Sequence, residues 1–388
     1  MNKLYKNDPI ALSQALIKCK SVTPDDGGAL DLLQDILESM DFKCSRLVFK
    51  ESGTQEVKNL YARWGDKNPN FCYAGHLDVV PEGDIKNWNY DPFGGIIDGD
   101  FLYGRGASDM KSAIASFVSA VNDFIKDDSK NILGSISFMI TCDEEGPAIN
   151  GTKKMVEWLK KEDEKIDVCL VGEPTNPNKL GEMIKIGRRG SITGHLTING
   201  QQGHVAYPDL AHNPLKDMIK ILNELQFSRL DNGNKFFQPS NLEVISVDAV
   251  NHVNNLIPNT AKASFNIRFN DEHTEKSLEQ WIHNICKKIT KSYELRLESS
   301  GEAFITPPEK LSNIIKEAIK ENINIEPQLS TTGGTSDARF IKDIAPVAEF
   351  GLVGKTMHKI DEKIAISDIK MLKKIYLSIL KGYFQKIN

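Results

Sequence analysis

The sequence lacks the features that mark several large classes of protein. Its six cysteines, at positions 19, 44, 72, 142, 169 and 286, form no C-x-x-C pair. Such scattered cysteines favour a reducing compartment over a disulfide framework. No stretch approaches the ~20 consecutive apolar residues needed to cross a membrane, and the N-terminal MNKLYKNDPIALSQALIKCK has no apolar segment typical of a secretion signal. We therefore expect a cytoplasmic protein.

An excess of positive charge is also missing. The chain has 48 Lys and Arg residues against 53 Asp and Glu residues, which gives a net charge of −5. A protein that binds nucleic acid or an anionic membrane usually carries a basic surface, which this balance does not favour. The expected partner is a small-molecule substrate, with neither nucleic acid nor a membrane involved.

Three common catalytic motifs are absent as well. No G-x-S-x-G sequence is present, so the nucleophile elbow of serine hydrolases is not indicated. GRGASD has Asp109 where a dinucleotide-binding motif needs its third glycine, and GGTSDARF lacks the lysine of a phosphate-binding P-loop. Hydride transfer with a dinucleotide and nucleotide hydrolysis are therefore not supported.

The pattern of apolar residues predicts an α/β protein. In the first part of the chain, helical patterns alternate with apolar strands such as FCYAGHLDVV, SISFMITC and DVCLVG. This alternation is typical of a mostly parallel sheet. With 388 residues, the chain is long enough for two or three domains.

The pattern changes near residue 180. MIKIGRRGSITGHLTING alternates like an exposed antiparallel strand, and a β-α-β-β-α-β order follows. This order predicts an inserted α+β ferredoxin-like domain over residues 180–294. Residues 1–179 and 295–388 would then form one catalytic, metal-binding domain.

The strand FCYAGHLDVV carries two polar side chains at its end. His76 and Asp78 are two residues apart, so they project from the same face of a strand. They can be an ordinary solvent-exposed strand end. They can also be a metal ligand with the carboxylate that orients it, because a ligating imidazole usually donates its other N–H to an oxygen.

Other strand-like stretches also end in acidic residues. Glu144 and Glu145 follow one strand, Glu173 follows another, Asp109 precedes a helix, and His358 lies in a late loop. In open α/β sheets, ligands bind beyond the carboxyl ends of the strands, so these side chains can converge. Nitrogen and oxygen ligands without thiolates suit zinc, cobalt or manganese, and a shared carboxylate would allow a two-metal site.

The adjacent acids Glu144 and Glu145 can have two different roles. Hydrolysis of an amide at a metal site needs a metal ligand and a separate base for water, and neighbouring glutamates can supply one of each. Adjacent acids are otherwise most often a solvated surface pair.

The chain resembles the co-catalytic metallopeptidases of the M20 type. The resemblance extends from about residue 73 to 362, in the stretches AGHLDVVP, DPFGGIIDGDFLYGRGASDMK, DEEGPAINGT, VGEPT, GRRGS, QGHVAYPDLAHNP, NNLIPN, GGTSDARF and HKIDE. It departs from the usual family pattern at Cys142, His252, Val253 and Leu352.

The resemblance implies a site with two Zn²⁺ ions per subunit, for which Co²⁺ can substitute. Asp109 would bridge the ions, His76 and Glu173 would complete one, and Glu145 and His358 the other. Asp78 would orient His76. Glu144 would be the general base that takes a proton from water and passes it to the leaving amine.

The resemblance also implies a homodimer formed through the inserted domain. His204 would reach into the partner's active site and support the oxyanion. Arginines can hold the carboxylates of an acidic substrate through paired hydrogen bonds. The substrate-binding candidates are Arg188, Ser191, Tyr207, Asn254, Asn255, Arg268, Gly334 and Thr335.

Within the family, the chain most resembles members that cleave N-succinyl-LL-2,6-diaminopimelate to succinate and LL-2,6-diaminopimelate, in lysine and cell-wall precursor synthesis. The same ligands also serve acetylornithine deacetylases, aminoacylases and dipeptidases. A binding protein that keeps the fold without catalysis is the alternative of a different class.

Overall fold

The computed structural model describes residues 2–128, 133–249, 251 and 253–385. His252 lies outside these ranges. The helices are α1 Asn2–Tyr5, α2 Pro9–Lys18, α3 Ala29–Glu38, α4 Lys111–Asp128, α5 Thr152–Lys161, α6 Pro214–Phe227, α7 Glu275–Ile289, α8 Lys310–Ile323, α9 Ala338–Ile341 and α10 Ile366–Gln385. Within the described ranges, no helix combines the length and apolar composition that crossing a membrane requires.

The strands alternate with these helices along the chain. They are β1 Lys43–Phe49, β2 Val57–Trp64, β3 Asn70–His76, β4 Ile96–Asp98, β5 Phe101–Tyr103, β6 Ser135–Thr141, β7 Val168–Val171, β8 Met183–Lys185, β9 Gly187–Arg188, β10 Gly190–Asn199, β11 Gly203–His204, β12 Asn241–Asp248, β13 Leu256–Ile257, β14 Thr260–Phe269, β15 Tyr293–Gly301, β16 Phe304–Ile305, β17 Gln328–Ser330, β18 Val347–Glu349 and β19 Lys363–Ala365.

The described residues form two compact units. The larger unit comprises Met1–Ile186, Thr306–Ser330 and Ser336–Asn388, and the smaller unit comprises Gly187–Ile305 and Thr331–Thr335. The larger unit is built on a mixed sheet with the strand order β1-β2-β6-β3-β7-β18-β8-β17. Its central strands β6, β3, β7 and β18 run parallel to one another. The predicted α/β class with a mostly parallel sheet is thereby confirmed.

The sequence explains why β3 lies in the middle of this sheet. All seven of its residues are buried, and a strand buried on both faces reads as a nearly continuous apolar run. Helix α2 begins as its sequence predicts. Asp8 caps α2, where its Oδ1 accepts hydrogen bonds from the backbone N–H groups of Ile10 and Ala11, and Pro9 occupies the first helical position.

The smaller unit is an antiparallel sheet covered by two helices. The strand order is β12-β14-β10-β15, and the elements follow the chain order β10-α6-β12-β14-α7-β15. Along β14, residues 261, 263, 265, 267 and 269 are buried, and the residues between them are more exposed. This alternation matches the predicted faces, because side chains in a strand point to opposite sides in turn. The predicted α+β ferredoxin-like arrangement is present.

The unit boundaries differ from the predicted positions 180 and 295. The residues predicted to form one exposed strand, 183–200, instead form β8, β9 and β10. β8 pairs in parallel with β17 in the larger unit, and β15 pairs with β10 in the smaller unit. Alternation in sequence cannot tell which sheet a strand joins, because both sheets give the same local pattern. The assignment of catalysis to one domain and dimerisation to the other stays a prediction.

Candidate metal centre

The parallel strands bring three candidate ligands to one edge of the sheet. In the register of β3 and β7, Ala74 lies opposite Val171, so His76 and Glu173 both follow two residues later. His76 itself lies opposite Thr141, the last residue of β6, after which the chain turns into Glu144 and Glu145. Gly172 is required before Glu173, because a side chain there would overlap the Tyr73 hydroxyl.

Asp109 lies between the two histidines. Its Oδ1 is 3.1 Å from His76 Nε2, and its Oδ2 is 3.4 Å from His358 Nε2. His358 Nε2 is also 2.8 Å from Glu145 Oε1, while His76 Nε2 is 3.7 Å from Glu173 Oε1. Each oxygen of Asp109 therefore faces one histidine, and each histidine lies beside one further carboxylate, which is the arrangement expected around a bridging ligand.

Two groups of side chains can each hold a metal ion. Ligand atoms of His76, Asp109 and Glu145 lie within 4.8 Å of one another, as do ligand atoms of His76, Glu144 and Glu173. Imidazole nitrogens and carboxylate oxygens are the donors that zinc and related divalent ions accept. The donor set therefore fits the expected metals, and the second group adds Glu144 as a potential ligand.

Asp78 contacts His76 mainly through its backbone oxygen. His76 Nδ1 lies 2.9 Å from the backbone oxygen of Asp78 and 3.6 Å from its carboxylate. The carboxylate instead accepts hydrogen bonds from the backbone N–H groups of Glu144, at 3.4 Å, and Glu145, at 3.0 Å. Asp78 thus orients the imidazole with its carbonyl group and holds the glutamate turn with its side chain.

The carboxylate of Glu144 is not committed to other protein groups. Its backbone N–H is held by Asp78, but among the described residues no donor forms a hydrogen bond with its side chain. Burial and the negative charge of Glu173 raise the pKa of Glu144 well above its usual value. A partly buried carboxylate with a raised pKa and a free pair of oxygens is suited to proton transfer.

In the metal-free protein, hydrogen bonds and charges within the site shift the pKa values of its histidines and carboxylates. Burial opposes protonation of His76, but its hydrogen bond to Asp109 and the charge of Glu173 raise its pKa well above the usual value. Hydrogen bonds to Asp109 and Glu145 raise the pKa of His358 to about 10. Burial would raise the pKa of Asp109, but its hydrogen bonds from the two histidines hold that pKa well below the usual range. Protons thus balance part of the negative charge that metal ions would neutralise.

The loop of Asp109 is fixed by two residues that the sequence reasoning missed. The buried carboxylate of Glu362 accepts hydrogen bonds from the backbone of Ser108 and Asp109, and it pairs with the buried guanidinium of Arg105. Both residues lie inside stretches that the family resemblance includes, GRGASD and HKIDE. Nothing in the sequence indicates that an arginine and a glutamate in two separate loops form a buried ion pair.

The remaining candidates lie in the smaller unit. Arg188 donates a hydrogen bond from Nη1 to the Gly334 carbonyl at 2.9 Å. Ser191 and Arg268 lie opposite each other on β10 and β14. His204 on β11 is exposed, and its Nδ1 accepts a hydrogen bond from Ala206. Tyr207, Asn254 and Asn255 are exposed, and Thr335 is half-buried.

Arg268 is half-buried on β14. Among the described residues, no acceptor forms a hydrogen bond or ion pair with it, and burial lowers its pKa. Burial and the positive charge of Arg268 also lower the pKa of Arg189, so two arginines lie near each other. Paired, partly desolvated arginines form a favourable position for a carboxylate.

The candidate metal centre lies within a stretch of the chain that matches a known protein family. The model of peptidase family M20/M25/M40 matches residues 72–382. The chain belongs to this family. The match includes every residue of the candidate metal centre.

Close relatives of this M20 chain share nearly its whole length. It is 58% identical to succinyl-diaminopimelate desuccinylase of Pelagibacter ubique, over 97% of this chain and 98% of that protein. It is 55% identical to succinyl-diaminopimelate desuccinylase of Rhodospirillum centenum, over 97% of each chain.

Solved structures share the fold at lower identity. An M20 family metallo-carboxypeptidase from Sulfolobus solfataricus is 17% identical and has a TM-score of 0.77 over 97% of this chain and 99% of that chain. A dinuclear metal-binding M20 peptidase from Bacillus subtilis is 13% identical, with a TM-score of 0.70 over 98% of this chain and 99% of that chain.

Proposed function

We propose that this protein is a succinyl-diaminopimelate desuccinylase, a metal-dependent amide hydrolase. It would cleave N-succinyl-LL-2,6-diaminopimelate to succinate and LL-2,6-diaminopimelate, in lysine and cell-wall precursor synthesis. The observation that carries the hydrolytic chemistry is the position of Asp109, with one oxygen toward each histidine. The choice of substrate rests on the 58% and 55% identical relatives, which carry that name.

The proposed cofactor is a pair of Zn²⁺ ions, for which Co²⁺ can substitute. His76 and Glu173 would hold one ion, Glu145 and His358 the other, and Asp109 would bridge them. When bound, the ions would lower the pKa of water and polarise the amide carbonyl. Asp78 contributes by holding His76 and the Glu144–Glu145 turn in place.

Glu144 is the proposed general base. Its carboxylate takes a proton from water while the water oxygen adds to the succinyl carbonyl carbon. The carbon–nitrogen bond then breaks, and Glu144 delivers the proton to the amine nitrogen. Succinate and the free amine leave, so one water is consumed for each amide cleaved. The absence of a hydrogen-bond donor to its side chain among the described residues supports this assignment.

The smaller unit supplies the proposed substrate contacts. Arg268, with Arg188 beside Gly334, would pair with substrate carboxylates, which an acidic protein needs local cations to hold. Ser191, Tyr207, Asn254, Asn255 and Thr335 would add hydrogen bonds. His204 would support the oxyanion in the active site of a partner subunit.

The homodimer is also part of the proposal. β12 is an edge strand of its sheet and exposes Ile245 and Val247. Helix α6 exposes Ile219 and Phe227. Exposed apolar side chains next to an open strand edge favour pairing with another chain. Sedimentation of the purified protein tests this, and Ile245→Lys should shift the protein toward the monomer. A dimer unaffected by that change would place the contact elsewhere.

A competition assay tests the function. Zinc-loaded protein receives equal concentrations of N-succinyl-LL-2,6-diaminopimelate, N-acetylornithine and a simple dipeptide, and the products are separated by chromatography. Dominant release of succinate, abolished by a chelator, supports the proposal. Preferred cleavage of another substrate would assign the protein to a different M20 activity, and no cleavage would support the binding-protein alternative.

A further inference from the structure

Two loops that carry proposed metal ligands are joined by a buried ion pair. Arg105 and Glu362 are almost fully buried, and Arg105 Nη1 donates a hydrogen bond to Glu362 Oε2 at 2.8 Å. Arg105 lies in the turn that leads to Asp109, and Glu362 lies four residues after His358. The pair thus connects the bridging carboxylate to the histidine on its Oδ2 side.

Glu362 contacts the Asp109 turn directly. Its Oε1 accepts hydrogen bonds from the backbone N–H groups of Ser108, at 2.9 Å, and Asp109, at 3.2 Å. Its backbone oxygen accepts a further hydrogen bond from Gly104. One glutamate therefore fixes both ends of the turn and the main chain of the bridging residue itself.

Arg105 ties this turn to two further loops. Its Nη1 also donates to the Lys359 carbonyl at 3.1 Å, next to His358, and its Nη2 donates to the Pro81 carbonyl at 3.4 Å. The guanidinium also lies 5.1 Å from the centre of the Trp88 ring. A planar guanidinium can hold several acceptors at once, which an ammonium group cannot do in the same geometry.

The two proposed metal positions differ in how their ligands are held. His76 ends β3 and Glu173 follows β7, so the central sheet positions both. His358 lies in a loop, has a side chain that is 47% exposed and has a positive φ of 61°. Its position relative to Asp109 therefore depends on contacts between loops rather than on strand pairing.

We propose that Arg105 and Glu362 are positioning residues that set the spacing between Asp109 and His358. They would control affinity for the ion held by His358 and Glu145 more strongly than affinity for the ion held by His76 and Glu173. This inference rests on the two-ion site proposed above. Groups that orient metal ligands typically change metal affinity ~10–100-fold when they are removed.

Zinc titration of the metal-free protein tests this inference. Calorimetry of the unaltered chain should resolve two binding events. Glu362→Gln keeps the size and an acceptor oxygen but removes the charge that pairs with Arg105. It should weaken one event ~10–100-fold and leave the other within about threefold. Arg105→Lys should weaken the same event, because lysine cannot reach Glu362, Lys359 and Pro81 together.

Glu164→Gln is the matched control. Glu164 pairs with Arg63 in the same unit, at the opposite end of the sheet, and both side chains are largely buried. The substitution removes the same charge from a comparable ion pair, so it should leave both zinc events unchanged. Circular dichroism of each variant checks folding, and Arg105→Lys carries the test if Glu362→Gln does not fold.

The outcomes separate this inference from the proposed function. Two events in the unaltered chain, with equal affinities in both variants, would overturn the positioning role alone. Equal weakening of both events would overturn its selectivity for the His358 position. A single zinc event in the unaltered chain would contradict the two-ion site, and the positioning role would fail with it.

Discussion

Replacing Glu144 by glutamine keeps the shape of the side chain and removes its ability to accept a proton. General acid–base catalysis contributes ~10²–10⁴-fold to turnover. We therefore expect kcat to fall by that factor, which corresponds to about 3–5 kcal/mol of transition-state stabilisation. The backbone N–H that Asp78 holds is unchanged, so the turn should keep its position.

The same substitution should not weaken folding. Burial and the charge of Glu173 already raise the pKa of Glu144, so its ionised form is unfavourable in the metal-free protein. A neutral amide removes this repulsion, and thermal unfolding should occur at the same or a higher temperature. The general base must be ionised to accept a proton, so kcat/KM of the unaltered enzyme should fall as pH decreases through the pKa of Glu144.

Metal content decides between the two roles open to Glu144. Its carboxylate also belongs to a group with His76 and Glu173 that can hold an ion. If Glu144 is the base, the variant retains two zinc ions per chain by elemental analysis while turnover is lost. Loss of one ion would make Glu144 a ligand, and near-normal turnover with full metal would refute the reasoning. Asp84→Asn, in an exposed loop, is a charge-matched control.

Three further predictions concern other parts of the protein. His204→Ala should lower kcat ~10²–10³-fold, as expected for an oxyanion donor, with unchanged zinc content; lost metal would make His204 a ligand. Arg268→Met should raise KM ~10–100-fold, because a charge-assisted hydrogen bond contributes about 1.5–3 kcal/mol, whereas Arg229→Met is a control and should not. Zinc affinity should rise with pH. The pKa of His358 is raised to about 10, so zinc must displace a proton from this histidine when it binds. A zinc affinity that does not change with pH would contradict this.

The fold was predictable where local pattern and sheet position agree. The buried run of β3 and the Asp8-Pro9 start of α2 follow from residue type alone. The segment 183–200 was not predictable, because β8 joins the larger sheet although its alternation resembles that of β10. Long-range pairing, rather than local preference, decided where the units divide.

The candidate site was predictable in its residue types and less so in its contacts. Acidic residues and a histidine after apolar strands predicted a convergence at the sheet edge. The carboxylate of Asp78 accepts hydrogen bonds from the Glu144–Glu145 turn, and its backbone oxygen lies closer to His76 than the carboxylate does. A sequence shows which donors and acceptors are close along the chain, but not which of two nearby partners a buried carboxylate reaches.

By itself, the sequence determined the strand that delivers His76, the acids that follow β6 and β7, and the family to which the chain belongs. These depend on residue type and spacing, which hold in any compact state. Only the tertiary structure decided that Asp109 lies between His76 and His358 and that Glu362 and Arg105 join their loops. Arg105 and Glu362 are separated by 257 positions, and only chain folding brings buried charges from such distant loops into contact.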